Sequence, residues 1–246
     1  MSFSHTAMIF AAGRGERMRP LSDAHPKPLL TVLGKPLIVW QIERLARAGF
    51  TTIVINHHWL GEQIEATLGS GAQWGIQIHY CAEDTMLETA GAIRCALPLL
   101  EAQQTPCTFV AVSADIFTDY DYHALRPHLQ RLQGLPEPHM HLVMVPNPEY
   151  YPDGDFALEN GLLSFNRVAR LTFGNIGVYD TRMFYDLNPG KRCALTPYYL
   201  AAIKAQRASG EVYQGNWANV GTPEQLRALN AQLHQNTPAA HSASTR

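Results

Sequence analysis

A short stretch near the start of the chain combines glycines with a high density of positive charge. The apolar run Ala7–Phe10 leads into a loop that holds Gly13 and Gly15. The cations of this stretch are Arg14, Arg17, Arg19 and Lys27. Glycines let backbone N–H groups approach a ligand closely, and neighbouring cations suit an anion with several charges. The stretch therefore predicts a polyphosphate site, and the alternative is a basic loop that is only solvated.

Prolines stiffen the same stretch. Pro20 follows Arg19, and Pro26 and Pro28 flank Lys27. Proline fixes its own φ near about −65° and restricts the residue before it. We therefore expect Arg19 and Lys27 to lie on a constrained path.

Two common phosphate-binding motifs do not match the stretch. A dinucleotide fingerprint needs a third glycine where this chain has Met18, and a P-loop needs Ser or Thr where Pro36 follows Gly34-Lys35. The string G-x-G-x-R-M-x-P followed by P-K-P-L instead resembles the signature of the sugar-1-phosphate nucleotidyltransferases. A nicotinamide oxidoreductase is disfavoured, because the third glycine is missing and the loop carries many cations.

Further motifs narrow the resemblance. They are I-N-H-H-W-L-G at 55–61, L-E-T-A-G-A-I at 87–93, T-D-Y-D-Y at 118–122, G-D-F-A-L at 154–158 and W-A-N-V-G-T at 217–222. With them the chain resembles, from Ala7 to about Leu233, the short MurU-like uridylyltransferases of peptidoglycan recycling. The resemblance implies transfer of UMP from UTP to N-acetylmuramic acid 1-phosphate, giving UDP-N-acetylmuramic acid and pyrophosphate.

The resemblance also implies roles for individual residues. Arg17 is expected against the triphosphate, and Lys27 at the α-phosphate and the incoming phosphate, as the catalytic cations. The expected nucleotide-binding residues are Ala11, Ala12, Gly13, Gly15, Asn56, Glu88, Thr89 and Gly91.

Simpler explanations remain open for several polar residues. Thr89 also fits a helix N-cap, Asn56 a hydrogen bond at a strand end, and Arg14 and Arg19 a solvated face. Glu83 is a weaker candidate for the same site.

A Mg²⁺ ion is implied as well. Asp115 corresponds to the metal-binding aspartate of the family, with Ala114 where the family has glycine. The second aspartate of the family, in W-x-D-x-G-T, is replaced by Asn219. An amide oxygen binds Mg²⁺ without adding negative charge, so we expect weaker binding before the nucleotide arrives. The enzyme then works mainly through Asp115 and the triphosphate, works more slowly or with another ion, or has lost activity.

Candidate sugar-binding residues lie later in the chain. They are Asp155, Gly174 and Asn175. A β-turn is the alternative for Asp155 in P-D-G-D-F, while Gly174 would allow close backbone approach to a hexose. Four histidines lack the sequence spacing of metal ligands and are expected as surface or strand residues: His123, His128, His139 and His141.

Two other functions remain open. The opening motif also occurs in enzymes that use glucose or mannose 1-phosphate, or choline phosphate, with dTTP, GTP or CTP. Asn219 and Ala114 also fit a protein that binds nucleotide sugars with weakened catalysis. Such a protein would bind nucleotide tightly without turnover, and Asn219→Asp would restore turnover.

Composition narrows the class of protein. The chain has 246 residues, 46% of them hydrophobic and 16% charged, and a net charge of −2. These values are typical of a globular protein and give no support to a nucleic-acid partner. The four cysteines are scattered, and no stretch approaches the roughly 18 apolar residues of a membrane span. A cytoplasmic protein is expected, and its short length favours a monomer.

Strands and helices alternate in the first half of the chain. The predicted strands are Ala7–Phe10, Thr52–Asn56, Gln73–Cys81 and Cys107–Val112, and the helices Pro36–Ala48, Gly61–Leu68 and Thr89–Leu100. This alternation predicts an α/β fold with a doubly wound, mostly parallel, Rossmann-like sheet. Ligands of such sheets bind beyond the carboxyl ends of the strands, where the glycine loop, Asn56, Glu83 and Asp115 fall.

The second half is richer in strands. They are predicted at His141–Val145, Phe156–Leu158, Leu162–Phe165 and Leu171–Tyr179, with helices at Pro197–Gln206 and Pro223–Leu233. We expect a sugar-binding extension of the same sheet. One domain is predicted over 1–235, with a nucleotide part at about 6–135, a sugar part at about 140–222 and a disordered tail at 236–246.

Overall fold

The computed structural model describes residues 5–236. Its strands are, in chain order, β1 (Thr6–Phe10), β2 (Thr31–Val32), β3 (Lys35–Pro36), β4 (Thr52–His57), β5 (Gln77–Ala82), β6 (Thr108–Ser113), β7 (Ile116–Thr118), β8 (Met140–Val145), β9 (Phe156–Glu159), β10 (Leu162–Ser164), β11 (Arg170–Asp180), β12 (Ala208–Val212) and β13 (Trp217–Asn219). The helices are α1 (Leu21–Ala24), α2 (Leu37–Arg47), α3 (Gly61–Leu68), α4 (Glu88–Leu100), α5 (Arg126–Gln133), α6 (Thr196–Lys204) and α7 (Pro223–Asn236). None of the helices within residues 5–236 has the length and apolar character needed to cross a membrane. Of the tail predicted at 236–246, Asn236 instead ends α7, and residues 237–246 lie outside the described residues.

Within these residues, nine strands form one sheet in the order β5-β4-β1-β6-β11-β8-β12-β10-β9. Its first four strands are parallel, as predicted for the first half of the chain. In the second half, β11 is antiparallel to β6 and β8, whereas β12 is parallel to β8. The α/β class is confirmed, and the extension does join the same sheet. Because the extension is largely antiparallel, the whole sheet is mixed rather than mostly parallel. The division into a nucleotide part and a sugar part stays a prediction.

Helices cover the central strands on both faces. Successive side chains of a strand point to opposite faces. Ile9 and Ile55 therefore join the apolar cluster under α2, α3 and α5, whereas Met8 and Val54 join the cluster under α4 and α6. Burial on both faces explains the nearly continuous apolar runs that made these strands predictable.

A third, smaller cluster holds the C-terminal helix beside the glycine loop. Leu226 and Leu229 of α7 pack with Met18, Val32 and Val220. This packing keeps the segment that follows β13 next to the cation-rich stretch.

Sequence patterns missed some elements. The strand predicted to begin at Gln73 begins at Gln77, because Gly71 and Gly75 take left-handed φ values of 85° and 69° around a 3-10 turn at Ala72–Trp74. Helix α5 and strand β12 were not predicted, since their sequences carry few apolar residues in a regular pattern. The β7–β13 ladder was missed because each of its strands has only three residues. The other predicted elements end within three residues of the observed bounds.

Candidate active site

The glycine loop after β1 is held by its own cations. The Arg14 guanidinium donates to the Ser22 carbonyl at 2.9 Å, pairs with Asp23 at 3.0 Å and lies 3.6 Å above the Trp59 ring. Arg19 also pairs with Asp23, at 3.3 Å. The partly buried Arg14 therefore helps to shape the loop, whereas Arg19 is exposed and lies on a solvated face, the alternative left open for both residues.

Gly15 lets the chain fold back on itself. Its φ is 65°, in the left-handed region that favours glycine, and its carbonyl accepts the Ser22 hydroxyl at 2.7 Å. A β-carbon at this position would come within 3.1 Å of the Lys27 β-carbon. The glycine thus leaves room for Lys27 to pass the loop and reach the sheet.

Lys27 meets the predicted metal ligand directly. Its Nζ atom lies 2.5 Å from Asp115 Oδ2, a contact that joins residues 88 positions apart. The lysine side chain is only 11% exposed and the aspartate 30%. A cation and a carboxylate are therefore held together, largely out of water, at the carboxyl end of β6.

An open cleft surrounds this ion pair. It is lined by eight of the predicted site residues: Ala11, Ala12, Gly13, Lys27, Asn56, Glu88, Thr89 and Asp115. The cleft lies beyond the carboxyl ends of β1, β4 and β6, as the rule for parallel sheets predicts. Phe10, Pro28, Glu83, Met86, Ser113 and Ala114 complete the lining.

A hydrogen-bond chain forms the floor of the cleft. Asn56 Oδ1 accepts from the Ala11 N–H at 3.2 Å, and its amide donates to Glu83 Oε1 at 2.7 Å. The other Glu83 oxygen accepts from the Leu87 N–H at 2.9 Å. Asn56 therefore serves the strand end and lines the cleft at once, and the buried Glu83 ties the start of α4 to the sheet.

The first turn of α4 forms one wall. Helix α4 begins at Glu88, so the N-cap alternative for Thr89 is wrong. Thr89 Oγ1 accepts from the Leu195 N–H at 2.9 Å. The Gly91 N–H donates to the Cys193 carbonyl at 3.0 Å, and a β-carbon there would lie 2.6 Å from the Lys191 carbonyl oxygen. Gly91 lies outside the cleft lining and allows close packing of the 191–195 segment behind Thr89.

Asp115 lies in the turn just before β7, and Asn219 ends β13, the strand that pairs with β7. Ile116 pairs with Asn219 in the β7–β13 ladder, and the Val220 N–H donates to the Asp115 carbonyl at 2.9 Å. The Asn219 Oδ1 atom is buried and has no hydrogen-bond partner among the described residues. A carboxylate beside an unpartnered buried oxygen suits a hard divalent cation, so these residues fit a metal of the magnesium class.

Two further residues face the same end of the cleft. The Arg17 guanidinium lies against Gly221, where a β-carbon would come within 3.2 Å of its Nη2 atom. Burial raises the pKa of Tyr150, while the Asn219 backbone and the Arg17 charge act in the opposite direction. Tyr150 was missed by the sequence interpretation, and its position as an aromatic residue in the loop before P-D-G-D-F was the available signal.

The predicted sugar-binding residues lie apart from the cleft lining. Asp155 accepts from the Phe173 N–H at 2.7 Å and from the Tyr151 hydroxyl at 3.0 Å. The Gly174 carbonyl accepts from the Trp217 indole at 2.8 Å, and Asn175 has a left-handed φ of 57°. Gly174 and Asn175 belong to the irregular part of β11, where the pairing with β8 shifts, and Asp155 accepts a hydrogen bond from that part.

Comparisons with known proteins agree with this arrangement. The family described as nucleotidyl transferase matches residues 6–151. The N-acetylmuramate alpha-1-phosphate uridylyltransferase of Neisseria meningitidis serogroup B is 46% identical over 231 residues, which are 92% of this chain and 96% of that protein. The enzyme of the same name from Caulobacter vibrioides is 29% identical over 92% of this chain and 96% of its own length.

A solved structure has the same fold. A Bacillus anthracis protein described as a glucose-1-phosphate thymidylyltransferase superposes with a TM-score of 0.78 at 20% identity, over 92% of this chain and 94% of that one. The family match covers more than half of the chain, and the Neisseria relative is covered almost completely. The chain therefore belongs to the nucleotidyl transferase family, among the enzymes that join a nucleotide to a sugar 1-phosphate.

Proposed function

We propose that this protein transfers UMP from UTP to N-acetylmuramic acid 1-phosphate, forming UDP-N-acetylmuramic acid and releasing pyrophosphate. The observation that carries the proposal is the cleft in which the glycine loop, Lys27, Asp115 and the first turn of α4 meet. The Neisseria and Caulobacter relatives, similar over almost their whole lengths, bear the name of this activity.

The reaction needs positioning more than a nucleophile on the protein. An oxygen of the sugar phosphate attacks the α-phosphorus of UTP, and the bond to the bridging oxygen breaks as pyrophosphate leaves. Lys27 neutralises charge at the α-phosphate and the incoming phosphate, while Arg17 stabilises the leaving pyrophosphate. Lys27 is already paired with a carboxylate at 2.5 Å, so the arriving phosphate replaces one anionic partner with another.

The nucleotide is held by the loop and the wall of the cleft. The loop residues Ala12 and Gly13 offer backbone N–H groups to the phosphates. Thr89 and Glu88 line the same cleft, and we assign to them the contacts with the base and ribose. Asn56 and Glu83 act from the floor, by keeping the loop and α4 at a fixed separation.

Asp115 and Asn219 are the residues that would hold Mg²⁺. Their oxygens are the ligand type that this ion prefers, and divalent-metal dependence is typical of the family. When bound, Mg²⁺ neutralises negative charge on phosphate oxygens. Asn219 contributes no charge, so the triphosphate supplies most of the attraction for the ion.

A binding protein with weak catalysis is the second candidate, and Asn219 is the observation that favours it. Both candidates hold nucleotide in the same cleft, so nucleotide binding does not distinguish them. The rate of turnover does. Within the enzyme class, another sugar phosphate or nucleotide remains the alternative to N-acetylmuramic acid 1-phosphate and UTP.

Pyrophosphate release from UTP and Mg²⁺ tests the proposal. N-acetylmuramic acid 1-phosphate should give fast release, and the 1-phosphates of N-acetylglucosamine and glucose slow release. Fast release with another sugar, or with dTTP, GTP or CTP, would overturn the substrate assignment. Nucleotide binding without release for any sugar would favour the binding protein, and regained turnover in Asn219→Asp would assign the loss to that position.

A further inference from the structure

A second group of potential ligands lies away from the cleft, where α5 crosses the sheet. His141 on β8 pairs in register with Ser209 on β12, and Glu211 is two residues further along β12. Residues two apart on a strand share a face, so Ser209 and Glu211 point the same way as His141. His128, on α5, completes a group whose ligand atoms all lie within 4.8 Å of one another.

The hydrogen bonds around Ser209 fit a His141 tautomer that carries its proton on Nδ1. The single Ser209 proton is directed to the Met140 carbonyl at 3.3 Å, and Arg131 donates to the Ser209 oxygen at 2.8 Å. With the Ser209 proton in that direction, His141 Nδ1, 3.0 Å from the same oxygen, is the donor. This leaves a lone pair on His141 Nε2 when the ring is neutral.

That lone pair faces a carboxylate. His141 is 1% exposed, and its Nε2 atom has no hydrogen-bond partner among the described residues. The nearest opposing atom is Glu211 Oε2, at 3.5 Å, and His128 Nε2 lies 3.4 Å from the same oxygen. A cation placed between the nitrogen lone pair of His141 and the Glu211 carboxylate would satisfy both atoms.

We propose that His128, His141 and Glu211 form a site for one divalent transition-metal ion of the zinc class. Ligand atoms about 2.0–2.1 Å from a tetrahedral ion lie roughly 3.3 Å apart. The separations of 3.4 and 3.5 Å from Glu211 to the two histidines match this spacing. Two imidazoles and one carboxylate are a ligand set that zinc accepts, with water in the fourth position, whereas magnesium prefers oxygen ligands alone.

Neighbouring side chains affect how the three ligands of the proposed metal site are oriented. The Tyr120 hydroxyl donates to the other Glu211 oxygen, which orients the carboxylate towards the histidines. The stacked His128 and His141 rings are 3.6 Å and 14° apart, so His128 tilts on binding to aim its nitrogen at the ion. Its side chain is 26% exposed on α5, which gives the ring room to turn. The positive charge of Arg131 repels a bound cation, and the negative charge of the Glu211 carboxylate offsets this repulsion.

Cobalt binding to metal-free, untagged full-length protein tests the proposal. One Co²⁺ per chain should give the visible absorption of a tetrahedral site, which Zn²⁺ abolishes and Mg²⁺ leaves in place. His128→Gln, a change at the partly exposed ligand, should weaken Co²⁺ binding at least tenfold. Zn²⁺ should raise the unfolding temperature of the wild type and leave that of His128→Gln unchanged.

Matched variants separate this site from other ligands. His139→Gln removes a neighbouring histidine outside the cluster, and Asp115→Asn removes the carboxylate of the cleft. Both should keep the cobalt spectrum. Absence of the spectrum in the wild type, its persistence in His128→Gln or its loss in Asp115→Asn would each overturn the proposal. None of these readouts depends on nucleotidyl transfer, so the proposal stands or fails independently of the proposed function.

Discussion

The parallel half of the sheet ends in an open cleft, whereas the predicted sugar-binding residues of the antiparallel half hydrogen-bond within that half. Lys27 and Thr89 line the cleft, where a ligand can reach them. Asp155 instead accepts from Phe173 and Tyr151, and Gly174 from Trp217. Parallel strands bring their carboxyl ends to one edge, so the loops that follow them converge there. An irregular antiparallel strand leaves backbone groups that nearby side chains must satisfy.

Removing the cation of the cleft should have the largest effect. We expect Lys27→Ala to lower kcat by about 10²–10³-fold, the scale for loss of one group that stabilises transition-state charge. The measurement is pyrophosphate release at saturating substrates. Lys35→Ala is the matched control, because Lys35 pairs with Glu43 at 2.6 Å outside the cleft lining. Equal losses in both variants would remove the special role of the cleft lysine.

Removing the Arg17 guanidinium should cause the second-largest loss of activity. Loss of a charged hydrogen-bond partner costs roughly 1.5–3 kcal/mol, so Arg17→Ala should reduce kcat/KM by about 10–100-fold. Arg19→Ala removes the same charge two residues away, where the side chain pairs with Asp23. Steady-state kinetics should show little change in the Arg19 variant. A larger loss there than in Arg17→Ala would contradict the assignment.

A substitution at Asp155 tests whether the polar groups of the antiparallel half stabilise its backbone. Asp155→Asn should lower the free energy of unfolding by about 1–2 kcal/mol, because the new amide cannot accept as strongly from the Phe173 N–H. Urea denaturation measures this loss, with Asp153→Asn, an exposed neighbour, as the control. Unchanged stability with a raised KM for the sugar phosphate would instead favour the predicted sugar-binding role.

Asn219→Asp should have a smaller effect on the cleft. A second carboxylate beside Asp115 adds attraction for a divalent ion of about 1 kcal/mol in a hydrated site, or roughly fivefold in affinity. The Mg²⁺ concentration for half-maximal rate should fall accordingly. An unchanged requirement would show that position 219 does not contact the ion.

Acid should weaken the antiparallel half through His141. Burial lowers the pKa of this histidine in the folded protein, so the unfolded chain takes up its proton first as the pH falls. Stability should therefore decline with falling pH, from about 6.5, the ordinary histidine value, down to the lowered folded value. Thermal unfolding of the metal-free protein across this range should show a flatter decline in His141→Asn than in His139→Asn. Equal slopes would rule out His141 as the cause.

The features that could be predicted from the sequence depend on residues that lie close together along the chain. The glycine loop, Asn56, Thr89 and Asp115 each follow or precede an apolar run whose strand or helix was predicted, and strand topology brings them together. The packing role of Gly91 was missed, because the carbonyl it approaches belongs to residue 191. The unpartnered oxygen of Asn219 could not be predicted from the sequence either, since its position depends on the short β7–β13 ladder.

The amino-acid sequence by itself determined the parallel half of the sheet, the polyphosphate loop and the family, because these depend on local apolar periodicity and on a contiguous motif. Only the tertiary structure decided which polar groups face a ligand and which serve the backbone. His128, His141 and Glu211 show the reason: they are far apart in the chain, and Glu211 lies on a strand with little apolar pattern. Their meeting follows from the β8–β12 register and from α5 packing over the sheet, which long-range contacts alone can specify.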